Sequence, residues 1–412
     1  LLHVDDQIGF AHPFAQLHDD VGAASQNFYI PGRMLQQATR LTERFRGRIG
    51  KIFQGQLLMV VRWLFLQNLR RARLRCADYT PAARVFNEGY RGLTGARPIR
   101  APSEPAILKG MNCDCLIVGG GVIGLSLAWQ LALRGRKVRV IDRQAPAQEA
   151  SWAGAGILPP ASRTALAHPL DQLRGWSFEL HAEWAVKLKQ QTGIDTGYRK
   201  CGGLYVARSV GEAAALTAWA EVQHEEQVIV EKISPSRLAE LEPELATADP
   251  PALPIRAAWH LPDECQLRNP RYLQALLKVC QQQGVEIVAN CEVQDFVIAN
   301  NHLRKVITSQ GEISAEQVCV TSGAWTGQLL QKLGMTLGVI PIRGQMVLFR
   351  CERPPLRTIV NEGPRYLVPR DDGRLLVGST EEEAGFDKQT TPGAIAELID
   401  LAGVTYAFVW VK

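Results

Sequence analysis

The chain has 412 residues, 46% hydrophobic and 21% charged, the composition of a globular protein with room for two or three domains and a sizeable core. No run reaches the roughly 18 apolar residues of a membrane span, and the longest candidate, Leu57–Leu69, is broken by Arg62 and lacks the small-residue cleavage site of a signal peptide. The formal charge of +5 is unevenly spread: residues 1–110 hold 14 Arg and 2 Lys against 8 acidic residues, while the remainder carries 30 basic and 33 acidic, so any nucleic-acid reading rests on the first segment alone.

That first segment shows no convincing element in its first 50 residues. The cluster Arg70, Arg71, Arg73 and Arg75 follows the apolar patch. It reads as a membrane-surface helix, as a nucleic-acid arm with sparse aromatics and no visible module, or as sequence lying upstream of the true start. The third reading is preferred, because Met111 stands directly before the first predicted strand and the Arg to Lys imbalance stops there. Residues 1–110 are therefore expected to be a basic, poorly structured extension with no nucleic-acid partner.

From Cys115 the pattern becomes regular. Cys115–Val118 is a short apolar run with β-branched members, which predicts a buried strand. Gly119, Gly121 and Gly124 follow as G-x-G-x-x-G, a helical pattern runs from Val122 to Leu133, and a second strand, Val138–Ile141, ends on Asp142. In such a unit the first glycine permits the tight turn, the second lets a pyrophosphate approach the backbone, and the third lets helix and strand pack. The helix N-terminus offers free N–H groups to the phosphates. Asp142 lies 18 residues beyond Gly124, where an acidic side chain can accept from a ribose. The unit predicts dinucleotide binding; a glycine-rich turn in another βαβ unit is the competing reading.

The nine cysteines are scattered, odd in number and without a C-x-x-C pair, so no metal site or disulfide framework is expected, and buried free thiols in a reducing cytoplasm are. After Arg143 comes AQEASWAGAGILPPAS, whose small residues suggest a backbone lying against something flat. The dinucleotide unit together with Ala150-Ser151-Trp152-Ala153-Gly154-Ala155-Gly156-Ile157 resembles the flavin-dependent amine oxidases of the D-amino-acid oxidase type, and within them the bacterial glycine oxidases of thiamine biosynthesis.

That resemblance implies FAD as cofactor and a small amino acid and oxygen as reactants. The fold it implies is α/β: a Rossmann-type FAD-binding domain with a parallel sheet, interleaved with an antiparallel α+β substrate domain. It implies that Val122 and Ile123 sit over the pyrophosphate, that Asp142 and Arg143 meet the adenosine ribose side, and that Ala150, Ser151 and the Ala155–Ile157 backbone line the inner FAD. Val293 would contact the adenine end through its backbone. The implied division is 111–190 and 261–333 for the FAD-binding domain and 191–260 and 334–402 for the substrate domain. The family forms homo-oligomers, which leaves the oligomeric state open here.

Further along, Leu170–Thr192 reads as a helix with Leu173, Trp176, Leu180, Trp184 and Leu188 as a core stripe. Gly202–Ala207 reads as a strand, and Gly211–Gln223 and Ser234–Leu241 as helices. Glu240 and Glu242 are expected on a solvated face rather than as an acid/base pair. The helix Asn269–Gly284 precedes strands Glu286–Val288 and Glu292–Ile298. Gln317–Val320 is a buried strand running into Thr321-Ser322-Gly323-Ala324-Trp325-Thr326, which resembles the family's second flavin-site turn. Within IPIRGQMVLF a Gly-broken strand pair is expected. Tyr366–Pro369 and Leu375–Gly378 flank an Asp-Gly step and read as a hairpin. The resemblance places Tyr366 against flavin and substrate carboxylate; a tyrosine on a sheet edge is the competing reading.

The match runs from Met111 to Ala402. Residues 403–412, GVTYAFVWVK, read as a divergent β-like tail in place of a continuing helix. In the resembling oxidases a further segment supplies the arginines that hold the amino-acid carboxylate. Without a match for it, the expectation is a fold incomplete at the C-terminus that is poorly soluble or binds FAD weakly. D-Amino-acid dehydrogenase or sarcosine oxidase activity, or an inactive flavin-binding fragment, remain the alternatives. Arg365 neighbours Tyr366 but does not match a substrate-binding position.

Overall fold

The computed structural model describes residues 113–163, 169–247, 254–352 and 354–405; the basic extension with its apolar patch and arginine cluster, Met111, and the tail from residue 406 lie outside the described residues. In chain order the elements are β1 (Cys113–Val118), α1 (Val122–Ala132), β2 (Val138–Ile141), α2 (Glu149–Ala153), β3 (Ile157–Leu158), α3 (Pro169–Thr192), β4 (Arg199–Lys200), β5 (Gly203–Ala207) and α4 (Val210–Glu225). There follow β6 (Glu231–Ile233), α5 (Pro235–Leu241), α6 (Pro243–Thr247), β7 (Ala257–Leu261), β8 (Cys265–Gln266), α7 (Asn269–Gln282) and β9 (Glu286–Val288). The last group is β10 (Val293–Ala299), β11 (His302–Thr308), β12 (Gly311–Ile313), β13 (Ala315–Val320), α8 (Thr326–Gln331), β14 (Met346–Arg350), β15 (Ile359–Glu362), β16 (Arg365–Pro369), β17 (Arg374–Gly378) and α9 (Pro392–Asp400).

Four strands in the order β13-β1-β2-β9 form a parallel sheet, with Val118 opposite Val320 and Ile141, so that two chain ends some 200 positions apart open on one edge. The central strands β1 and β2 are buried on both faces, as their apolar runs require; β13, expected to be buried over Gln317–Val320, has Gln317 exposed and Val318–Val320 half-buried because it lies at the sheet edge. Helices α1 and α7 cover one face: Leu125, Ala128 and Trp129 meet Leu273, Leu276 and Val279 in a single apolar cluster. The antiparallel β10-β11-β12 sheet and α8 flank the other, where Leu116, Val118 and Ile141 pack with Phe296 and Val306.

A second, seven-stranded sheet runs β14-β17-β16-β15-β5-β7-β6, antiparallel except where β15 joins β5. One face packs Leu204, Val206, Leu367, Leu375 and Val377 against Leu398 of α9. A small third sheet has the order β3-β8-β4 and is antiparallel. The expected hairpin forms from β16 and β17, with Pro369 opposite Leu375, and Gly373 takes the positive φ of +75° that its turn demands.

Several expectations need correction. The α3 stripe is core only in its C-terminal half: Leu188 is buried and Trp184 packs edge-on to Trp129, but Leu173, Trp176 and Leu180 are exposed. No strand pair forms at Ile340–Phe349. Only β14 does, pairing with β17, while Arg343 makes a single bridge to Glu382. The helix of α9 passes into a π-helical turn, Leu401–Thr405, so the chain is still helical at the first positions of the tail read as β-like.

Glu242 is not on a solvated face. It is 1% exposed and accepts hydrogen bonds from the Arg357 and Thr358 amides at 3.0 and 2.6 Å and from Thr358 Oγ1 at 2.6 Å. Its neighbour Glu240 does face solvent, paired with Arg237. The helix α5 ends between the two, and Glu242 turns inward to satisfy amides of the chain entering β15.

Candidate functional site: a nucleotide cleft and a polar row

The first candidate site is a cleft of about 470 Å³ at the open edge of the parallel sheet. Of the residues singled out from sequence, Gly119, Gly121, Asp142, Arg143, Ala150, Ser151 and Val293 line it together, joined by Thr321, Ser322 and Trp325 from the end of β13. The glycines are explained by what a side chain would meet. Gly119 has φ of +114°, and a Cβ there would lie 2.6 Å from the Thr321 carbonyl oxygen. A Cβ on Gly124 would collide with the Gly119 carbonyl oxygen, so α1 can approach the strand end this closely only with glycine at that position.

Two contacts were not legible from spacing. Asp142 Oδ2 accepts from the Gly120 amide at 2.8 Å and Oδ1 from the Gln144 amide at 3.0 Å, so the carboxylate braces the glycine turn while still lining the cleft. Each oxygen keeps a further lone pair for a ligand hydroxyl. Gly121, the N-cap of α1, has no side chain to cap with; Ser151 supplies the cap from outside, its Oγ accepting from the Val122 amide at 3.1 Å. Val122 packs toward the core and the Ile123 side chain is exposed; neither lines the cleft, and what they bring to its edge is the backbone of the first helical turn. The floor is clamped by Thr321 Oγ1 and Ser322 Oγ, which donate to the carbonyls of Gly119 and Val118 at 2.9 and 3.0 Å. At the rim the Arg143 guanidinium lies 3.8 Å over the Trp325 ring, which stacks in turn on Phe386.

The structure does not bring every expected residue to this cleft. Ala155, Gly156 and Ile157 continue beyond it into the small sheet, where Ile157 pairs with Gln266 and the Gly156 carbonyl accepts from the Leu267 amide at 2.9 Å. Tyr366 is on the seven-stranded sheet, in a cross-strand row that reads Met346, Gly378, Tyr366, Asn361, Tyr205, Trp259. Its hydroxyl donates to Met346 Sδ at 3.2 Å, and burial pushes its pKa above the ordinary value. Arg365 points elsewhere, donating to the Ser379 carbonyl and pairing with Glu397.

Glu264 is the residue that the sequence reading missed. It is fully buried; Tyr205 Oη donates to it at 2.9 Å and Asn361 Nδ2 at 3.2 Å, and burial raises its carboxyl to about 7. A signal existed in the Gly202-Gly203 pair. A Cβ on Gly203 would fall 2.5 Å from the Glu264 carboxyl, so the glycine makes room for the acid.

A parallel sheet whose first strand turns through glycines into a helix, with an acid ending the second strand, is the frame of a dinucleotide-binding oxidoreductase. The FAD dependent oxidoreductase family matches residues 114–404, and the chain belongs to that family. Glycine oxidase of Pseudomonas putida is 34% identical over 289 residues, covering 70% of this chain and 76% of that protein. The bifunctional protein ThiO/ThiG of Synechocystis is 33% identical over 298 residues, covering 70% of this chain and 42% of that one. The crystal structure of glycine oxidase from Geobacillus kaustophilus is similar with a TM-score of 0.67 at 29% identity, over 74% of this chain and 81% of that one.

The cofactor is FAD, and the cleft fits its dinucleotide half: glycines where a Cβ would close the turn, a helix N-terminus beside Gly121, and an acid at the end of β2. Among the described residues no helix is long and apolar enough to cross a membrane, and no group of side chains could hold a metal ion.

Proposed function

We propose that the chain is an amine oxidase that converts glycine or a similarly small amino acid to the imine, which water resolves to the 2-oxo acid and ammonia while oxygen becomes hydrogen peroxide. In the cell this would supply the thiazole step of thiamine biosynthesis. The cradle at Gly119–Gly124, set in a chain 34% identical to a glycine oxidase, is the observation that carries the reading. Residues 111–190 and 261–333 are assigned to FAD binding and 191–260 and 334–402 to substrate. The reading includes a cytoplasmic location and leaves the oligomeric state open.

Bound FAD supplies the two-electron oxidation; the chain's residues bind and orient. Val122 and Ile123 would sit over the pyrophosphate, Asp142 and Arg143 would meet the adenosine ribose side, the Val293 backbone the adenine end, and Ala150, Ser151 and the Ala155–Ile157 backbone the inner cofactor. Tyr366 is the group assigned to the substrate. Its phenol donates to the weak acceptor Met346 Sδ and also meets the Ser379 side chain, and its raised pKa keeps it a neutral donor for a carboxylate. No general base is required when the amine enters unprotonated.

Peroxide release from glycine, sarcosine and D-alanine by flavin-loaded protein tests the reading. Turnover highest with glycine is expected. Preference for sarcosine, or flavin reduction by D-alanine without peroxide, would move the chain to sarcosine oxidase or D-amino-acid dehydrogenase chemistry. The second outcome has a relative behind it: D-amino acid dehydrogenase of Rhizorhabdus wittichii is 28% identical over 338 residues, covering 70% of this chain and 80% of that protein.

A further inference from the structure

The strand that carries Tyr366 ends at Pro369, and the next residue, Arg370, belongs to neither the cleft nor the polar row. It is 6% exposed. Nη1 donates to Gln266 Oε1 at 2.7 Å and to the Leu267 carbonyl at 3.0 Å, and Nη2 donates to the Ala155 carbonyl at 2.6 Å. All three acceptors are neutral. A buried guanidinium without a hydrogen-bonded carboxylate is a costly way to hold a turn together. Burial, with Arg268 and Arg199 nearby, lowers its pKa to about 10.

The hairpin tip does not depend on Arg370 for its attachment. Arg199 of β4 pairs with Asp371 and donates to the Pro369 carbonyl at 3.0 Å, and Arg268, the N-cap of α7, pairs with Asp372. What Arg370 adds is reach. Ala155 stands four positions after Ser151, which lines the cleft and caps α1. The backbone from Ala155 is already stitched to β8, through the Leu267 amide on the Gly156 carbonyl and the pairing of Ile157 with Gln266. Gly156 takes φ of +71°, and a Cβ there would collide with the Leu267 carbonyl oxygen. Arg370 therefore grips one knot, made of Ala155, Gln266 and Leu267, from the end of the Tyr366 strand.

We infer that Arg370 is a positioning residue, fixing the distance between the Ala155–Ile157 backbone and the strand that carries Tyr366 and so aligning cofactor with substrate. The inference rests on the reading above, in which that backbone lies against FAD and Tyr366 faces the substrate. Reacting atoms must be held about 3–3.5 Å apart, and a shift of about 1 Å costs on the order of 100-fold in rate. Loosening this grip thus acts on the rate of the reductive step more than on substrate affinity.

The test uses full-length, flavin-loaded protein and compares wild type with Arg370→Met, Arg370→Lys and, as a control at the same tip, Asp371→Asn. The readouts are the visible circular dichroism of bound flavin and, from anaerobic stopped-flow with glycine, the limiting reduction rate and the substrate dissociation constant. Arg370→Met is expected to lower the limiting rate roughly 10- to 100-fold and alter the dichroism, with substrate affinity changed less than about threefold. Arg370→Lys, which can serve fewer acceptors, should fall between Met and wild type, and Asp371→Asn should match wild type.

A folded Arg370→Met protein with wild-type rate and dichroism overturns the inference, as does an equal loss in the control. Should Arg370→Met fail to accumulate, Arg370→Lys decides, and wild-type behaviour in both readouts overturns it. Wild-type protein that binds no flavin would remove the functional reading and this inference together. Wild-type protein that binds flavin but is not reduced by glycine removes only the substrate assignment, and the dichroism still decides the role of Arg370.

Discussion

The nucleotide cleft and the polar row on the seven-stranded sheet are built in opposite ways. The cleft is a backbone site: its shape comes from missing side chains at Gly119 and Gly124, and its polar contacts run mostly between side-chain oxygens and main-chain groups, as in Asp142 with Gly120 and Ser151 with Val122. The row is a side-chain site, in which Tyr366, Asn361 and Tyr205 stand on three adjacent strands and Glu264 is set beneath two of them. A backbone site tolerates no added bulk at its glycines, whereas a side-chain site tolerates isosteric exchange and fails when a buried partner is removed.

The largest effect is expected in the cleft. Gly124→Val should destabilise the protein by about 3 kcal/mol and abolish flavin retention, because Cβ has nowhere to go; urea unfolding and the flavin absorbance of purified protein measure both. Full flavin content in that variant would break the comparison.

Next comes Glu264→Ala, which strands the Tyr205 hydroxyl and the Asn361 amide and should cost about 2–4 kcal/mol by the same unfolding assay. The acid also predicts a pH dependence. Its carboxyl titrates near 7 in the folded protein against an ordinary 4.5, so the folded state holds the proton more tightly. Its contribution is fully present below pH 4.5 and is lost as pH rises to about 7, a loss of about 3 kcal/mol. Glu264→Gln should flatten the stability profile across that window, and an unchanged profile would show that another group titrates there.

Ser151→Ala removes the external cap of α1 and should cost about 1 kcal/mol in flavin-free protein. The smallest effect on stability belongs to Tyr366→Phe, about 0.5 kcal/mol, since the phenol's acceptor is a thioether and its other contact is with the Ser379 side chain. In that variant the KM for glycine should rise with flavin binding unchanged, and a parallel loss of flavin would mean that row and cleft are not separate.

The same contrast explains what could be read from sequence. The β1–α1–β2 unit announces itself because its determinants are close together: β2 has the predicted bounds and Asp142 lies in the cleft with the glycines. The seven-stranded sheet draws on strands from Gly203 to Gly378 with crossovers between them, and β6, β7 and β15 are short segments without period-2 alternation long enough to notice. Glu242 and Glu264 were invisible for another reason. A buried carboxylate is specified by the amides and hydroxyls that converge on it, here Thr358 and Arg357 for one and Tyr205 and Asn361 for the other, and those partners are about 60 to 116 positions away. The stripe of α3 misled because helical spacing shows that one face is apolar without showing what covers it, and Leu173, Trp176 and Leu180 are exposed.

The hydroxyl of Ser151 has a consequence for how α1 begins. It already satisfies the first amide of α1, while the next two, of Ile123 and Gly124, still lie ahead of the first intrahelical bond, from Leu125 to Gly121. The capping of α1 is thus supplied by the chain itself, from a residue 29 positions further on, and does not wait for the cofactor.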